Sequence, residues 1–238
     1  MSKSVAIISE HASPLTPAGR VDSGGQNIYV AHLARQLSRM GNQVDVFTRW
    51  TAPQRLIQPW IDGVRVIQIP AGPPAPVRKE DLLPHMSDFA SHMIDFIKHG
   101  RRTYHVVHAN FWMSGLVAAS VKTACRIPFA ITFHALGKIR RLHQKSADQF
   151  PEIRDEIERN VAAVSDAVIA ECPQDHEDLT KLYDVDPAKI AMVGCGFDPA
   201  EFEPVEKKFS RALLGFAVDR PLILQLGRMV PRKGVETV

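Results

Sequence analysis

Residues 106–133 read VVHANFWMSGLVAASVKTACRIPFAITF. The run 106–110 is short and apolar and ends in Asn110. Residues 114–125 carry small and apolar side chains at helical spacing, and 129–133 is a second apolar run. A buried strand, a helix and another buried strand in this order form one parallel βαβ unit. The same alternation extends both ways. Towards the N-terminus, 5–8 and 44–48 read as strands around a helix over 26–40, whose apolar stripe is Ile28, Ala31, Ala34 and Leu37, with Val30 and Leu33 beside it, and whose stop is Gly41. Residues 64–69 alternate like a strand with one solvated face. Residues 70–79 hold four prolines and read as a loop before a helix over 82–99. Towards the C-terminus, Ile153, Ile157, Val161 and Val164 share one helical face. Beyond them, 167–170 and 190–193 read as strands flanking a helix over 173–182. This density of alternation predicts an α/β fold with a doubly wound, parallel, Rossmann-like sheet.

The 238 residues are 45% hydrophobic and 23% charged, with a formal net charge of +3. That charge is too small to point to nucleic acid, and no basic run interleaved with aromatics is present. Three cysteines, Cys125, Cys172 and Cys195, lack paired spacing, so neither a disulfide framework nor a zinc site is expected. The apolar run at 5–8 reads as a first strand, not a signal peptide, and no run approaches a membrane span. A soluble, cytoplasmic protein is expected.

The pattern changes after Phe202. Residues 203–208 are charged and linker-like, 210–214 form a short helical piece, and 222–226 read as the first strand of another unit. The expected organisation is one domain over 1–203 and the truncated start of a second over 204–238. A single strand cannot cover its own apolar faces, so Leu222, Ile223 and Leu224 would need another surface, with self-association as one outcome.

Ligands of such sheets bind beyond the carboxyl ends of the strands. Four junctions stand out. Gly24 and Gly25 precede the first helix, where paired glycines allow close backbone approach and helix-start amides favour phosphate; the bland alternative is a flexible turn. His134 follows the strand 129–133 and can bond a sugar hydroxyl or phosphate oxygen, or its own loop. The segment 108–112 also ends a strand, and its Phe111 and Trp112 read as core or crevice wall. Arg228 and Lys233 follow the 222–226 run and can neutralise a diphosphate, or form a solvated basic loop. Asp184-Val185-Asp186 has the form of a metal-binding D-x-D, but its place between a helix end and Pro187 favours a turn or cap. His134, His143 and His176 lack metal-ligand spacing. No G-x-G-x-x-G, P-loop or G-x-S-x-G motif is present, which disfavours a nicotinamide enzyme.

Taken in order, the segments HASPL (11–15), DSGGQNIYV (22–30), HANFWMSG (108–115), TFHALG (132–137), SDAVIA (165–170), VGCGFD (193–198) and LGRMVPRKG (226–234) resemble the retaining glycosyltransferases of family four. The likeness is collinear over nearly the whole chain. Its look is nearest the sucrose-phosphate and sucrose synthases and the mycothiol-pathway enzyme that glycosylates inositol phosphate. The resemblance implies a GT-B fold of two facing Rossmann-like domains. It also implies transfer of a hexosyl group from a nucleotide diphosphate-sugar to a sugar or polyol phosphate, without a metal or other cofactor. By the same resemblance, Arg228 and Lys233 face the donor diphosphate with Gly24 and Gly25, His134 contacts the donor sugar, and Lys79, Arg154 and Phe111 lie at the acceptor. Phe111 and Ala135 replace a Tyr and a Thr of the mycothiol enzyme, which weakens the case for inositol phosphate in particular, and Cys195 replaces a usual Asn. The family's E-x7-E carboxylates lie beyond Val238. Two further readings remain: a non-catalytic acceptor-binding module or half of a split enzyme, and a sugar-nucleotide epimerase of similar fold.

Overall fold

A computed structural model describes residues 2–16, 24–52 and 56–226. Eight strands form one sheet in the order β3-β4-β2-β1-β5-β6-β7-β8. They are β1 (Ser4–Ile8), β2 (Gln43–Arg49), β3 (Ile57–Ile61), β4 (Val64–Ile69), β5 (Val106–Asn110), β6 (Phe129–Thr132), β7 (Ala167–Ala170) and β8 (Ile190–Met192). All neighbours pair in parallel except β3, an antiparallel edge strand on β4. The sheet winds outward in both directions from β1, so the strand order reverses between β1 and β5. The doubly wound parallel sheet expected from the sequence is present.

Alternate residues of each strand feed two cores. Val5 and Ile7, Val44 and Val46, and Val64 and Val66 pack against Val30 and Ala34 of α1 (Gly25–Arg39). Ala6, Ile8, Phe47 and Ile67 face the larger core, shared with α2 (Met86–His99), α3 (Trp112–Cys125), α5 (Arg154–Val164) and α6 (Pro173–Tyr183). Burial on both faces is why β1 reads as a continuous apolar run. It also corrects the solvated face expected for 64–69, where only Arg65 escapes full burial because β3 and helices enclose the strand.

Other expectations shift in detail. Gly41 ends α1 with φ 84°, as anticipated, but Ile28 is exposed and the buried face runs through Asn27, Val30 and Ala34. Ile153, just before α5, and Val164 at its end are exposed, and the buried residues are Arg154, Glu158, Val161 and Ala162. A stripe of apolar letters therefore concealed a buried ion pair. Residues 57–61, which include Pro59, gave no strand signal, and α4 (Gly137–Gln144) was also missed. The segment 222–226 forms no strand, and Leu222, Ile223, Leu224 and Leu226 are exposed. Between Met192 and residue 226 the one helix is α7 (Lys207–Leu213), without a buried residue. No helix among the described residues is long and apolar enough to cross a membrane.

Gly115 sets the distance between α3 and its neighbours. A Cβ there would lie 2.5 Å from Val161 Cγ1 and 2.7 Å from Ile131 Cδ1. Gly115→Val is expected to overpack this contact and lower stability by about 1–3 kcal/mol, read as a lower urea midpoint at unchanged slope.

Candidate active site at the carboxyl ends of β1, β5, β6 and β7

The reversal of strand order opens a crevice beyond the carboxyl ends of β1 and β5. Four neighbouring strand ends deliver polar side chains there: Glu10 and His11 after β1, Asn110 on β5, His134 after β6, and Glu171 after β7. The start of α1 closes the group. Gln26 Nε2 donates to the Asn110 carbonyl at 3.1 Å and Ser9 Oγ at 3.2 Å, and Asn27 Nδ2 donates to the Ser13 carbonyl at 2.9 Å.

His134 stands at the centre. Its Nε2 lies 3.0 Å from Asn110 Oδ1 and its Nδ1 3.2 Å from Glu171 Oε2, while the Tyr29 ring meets it edge-on at 4.8 Å. Its backbone is left-handed, with φ 58°. One strand over, Phe111 has φ 85° and ψ 157°, a region that non-glycine residues almost never occupy. Two strained residues at adjacent strand ends mark where the fold has been held against local preference. The Phe111 backbone is fixed by its N–H donating to the Thr132 carbonyl and by its own carbonyl accepting from Gly115 N.

The electrostatics follow from depth. Burial, with the neighbouring His134 charge, pushes His108 down to about 4; Glu171 opposes this. His108 Nε2 lies 2.8 Å from Thr132 Oγ1. Burial would raise the Glu171 carboxyl, but the hydrogen bond and charge of His134, with a bond from Cys195, hold it below its ordinary value. Cys195 Sγ is 3.2 Å from Glu171 Oε1, and burial followed by Glu171 pushes that thiol up to about 11. Burial also raises Tyr29. The site therefore presents a fixed carboxylate behind an imidazole, with neutral thiol and phenol groups around it.

Beside it lies Arg154, the first residue of α5. It is fully buried, not the surface charge that a lone Arg at a helix start suggests. Its Nε donates to Glu158 Oε1 at 2.7 Å, and its Nη2 donates to the Ala135 carbonyl. The guanidinium carbon sits 5.1 Å from the Phe111 ring centroid, 5.7 Å from Trp112 and 4.7 Å from Phe150. Its Nη1 has no hydrogen-bond partner among the described residues. Glu158 Oε2 also accepts from Gly137 N at 2.8 Å and from Tyr183 Oη at 2.6 Å.

The remaining sequence-derived residues fall as follows. Lys79 lies in a 3-10 turn, Lys79–Asp81, with Nζ 4.0 Å from Glu80 Oε1; adjacent Arg78 bonds Gln149, next to Phe150, so this turn borders the Arg154 group. Gly24 caps α1, and a Cβ on either Gly24 or Gly25 would meet nothing within 4 Å among the described residues. Arg228 and Lys233 lie outside the described residues. Phe111 and Trp112 are core, as expected. Asp184 ends α6 in a left-handed conformation and Asp186 Oδ1 accepts from Ala188 N, the turn and cap roles that compete with a metal. Asn110, Glu171, Tyr29 and Glu158 were not singled out from sequence. Asn110 and Glu171 obey the strand-end rule that found His134 and could have been found by it. Tyr29 and Glu158 sit mid-helix and carry no such signal.

Comparison with known proteins resolves the family. A family model described as Glycosyltransferase Family 4 matches residues 23–201. The chain belongs to glycosyltransferase family 4. Among its family-4 relatives, the D-inositol 3-phosphate glycosyltransferase of Kineococcus radiotolerans is 35% identical over 234 residues, covering 96% of this chain and 54% of the relative. The protein of the same name from Corynebacterium diphtheriae is 32% identical, covering 100% of this chain and 57% of the relative. Among solved structures, sucrose-phosphate synthase from Thermosynechococcus elongatus superposes with a TM-score of 0.87 at 30% identity, covering 99% of this chain and 58% of that one. The chain thus spans little more than half the length of these relatives, and its fold is that of the matching part of a GT-B glycosyltransferase.

Proposed function

We propose that this chain forms the acceptor-side lobe of a retaining glycosyltransferase. The enzyme would move a hexosyl group from a nucleotide diphosphate-sugar to a hydroxyl of a phosphorylated sugar or polyol. The observation that carries the proposal is the pair of strained residues, Phe111 and His134, at adjoining strand ends of the crevice. Strain kept at such a place is a sign of a site whose geometry is used. The kinship with inositol-phosphate glycosyltransferases and sucrose-phosphate synthase supports the proposed substrate class.

In this proposal residues 1–203 form the acceptor lobe and 204–238 belong to the donor side. His134, oriented by Asn110 and Glu171, meets the donor sugar. Gly24 and Gly25 leave room for its phosphates, and Arg228 and Lys233 neutralise the departing diphosphate. Negative charge grows on that leaving group as the sugar becomes oxocarbenium-like, so fixed cations and amides lower the barrier more than they aid binding. In this reading the leaving charge is met by these cations and amides, with no metal or cofactor taking part. In this reading Lys79 lies on the acceptor side together with Arg154, whose buried Nη1 has no hydrogen-bond partner among the described residues and would reach the acceptor phosphate only as the Phe111 wall over it shifts.

Acceptor-dependent release of nucleoside diphosphate from UDP-, GDP- or ADP-sugars, measured on protein containing this lobe, should fall by about 100-fold or more in His134→Ala. Full activity in that variant would remove His134 from the chemistry. Exposed apolar side chains between 197 and 226, among them Phe197, Phe202, Phe209 and Leu213, support a second reading, half of a split enzyme or an acceptor-binding module. That reading predicts acceptor binding by the chain with no nucleotide release until a donor-side lobe is added.

A further inference from the structure

At the opposite end of the sheet, by the amino ends of β1, β2 and β4, lies an open cleft of about 510 Å³. Its lining includes Arg65, Arg101, Arg102, His99, Phe96 and Tyr104, and no carboxylate. The nearest acid is Asp45, fully buried in the adjoining core. Asp45 Oδ1 accepts from Arg65 Nε at 2.8 Å and Arg102 Nη1 at 2.6 Å, while Oδ2 accepts from Arg65 Nη2 at 2.6 Å and from Tyr104 Oη.

This arrangement is unbalanced in charge. One carboxylate orients two guanidinium groups, and a third arginine, Arg101, is exposed with no hydrogen bond or ion pair among the described residues. Arg65 still has Nη1 to offer, and Arg102 has Nε and Nη2. Two guanidiniums held by a buried carboxylate keep their remaining donors at fixed directions, which lowers the entropy lost in gripping an anion. Phe96 and Ile57 give the cleft an apolar wall, and its volume suits a small molecule, not a lone ion.

We infer that this cleft is a second binding site, separate from the transfer crevice, for a small phosphorylated molecule whose phosphate is held by Arg65, Arg101 and Arg102. A strand of five residues, roughly 17 Å, separates the two ends of the sheet. The site therefore does not depend on the transferase reading, and its occupant would act on the crevice only through the strands.

The test is a titration of the full chain with inorganic pyrophosphate, followed by NMR on the backbone amides of residues 99–104. Saturable shifts are expected, weakened about tenfold or more in Arg101→Glu and retained in Arg154→Met. Arg101 is exposed, so its variant should fold, which circular dichroism checks. The inference is overturned by any of three results. These are no saturable shift at 99–104, the same shift with sodium chloride of equal ionic strength, or binding that Arg154→Met abolishes and Arg101→Glu leaves intact.

Discussion

Glu158→Ala is expected to lower the unfolding free energy by about 3–5 kcal/mol, the cost of stranding a buried charge. Glu158 and Arg154 are both fully buried, and Glu158 also satisfies the Gly137 amide and the Tyr183 hydroxyl. Arg154 would keep its Ala135 contact and its aromatic neighbours, but only one of its three nitrogens would retain a hydrogen bond. Burial pushes the Glu158 carboxyl upward against Arg154, Tyr183 and the Gly137 amide, so the pair is not a source of net stability by itself. The double variant Arg154→Met, Glu158→Leu should accordingly recover most of the loss. Urea unfolding of the two single variants and the double variant decides this. A loss below about 1 kcal/mol in Glu158→Ala would mean that solvent or rearrangement reaches the group.

The second large effect is a loss of stability on acidification. His108 is buried with its titration lowered from 6.5 to about 4. Between those values the unfolded chain binds a proton that the folded chain refuses, so stability falls as pH falls. The stabilisation is fully present above about pH 6.5 and is lost as the pH drops through about 4, a change of about 3 kcal/mol. Glu171, also lowered, acts with the same sign at the acid end of that window. Unfolding free energies at a series of pH values should show the slope, and His108→Gln should flatten its upper part. A stability unchanged from pH 7 to 4.5 would contradict the burial of a neutral His108.

The sheet was legible in the sequence because its strands are buried on both faces. The runs at 5–8, 106–110, 129–133 and 167–170 are short and mostly apolar and emerge as strands within a residue of their expected ends. The edge strand β3 was not legible, since its IQPWI contains a proline and draws its partner from the antiparallel contact with β4. His134 was legible by the strand-end rule. Arg154 came from resemblance alone, and its burial was hidden because a stacked guanidinium leaves the same letter in the sequence as a solvated one. Glu158 was hidden for the same reason: its partners at 137, 154 and 183 meet it only after folding.

This lobe is expected to bind a phosphorylated acceptor beside His134. Calorimetric titration of the chain with D-inositol 3-phosphate and fructose 6-phosphate, against inositol and fructose, tests it most directly. At least one phosphorylated compound should bind about tenfold or more tightly than its unphosphorylated parent. Arg154→Met should remove that preference in a protein shown to be folded. Equal affinity for the phosphorylated and parent compounds, or a phosphate preference that survives Arg154→Met, would contradict it.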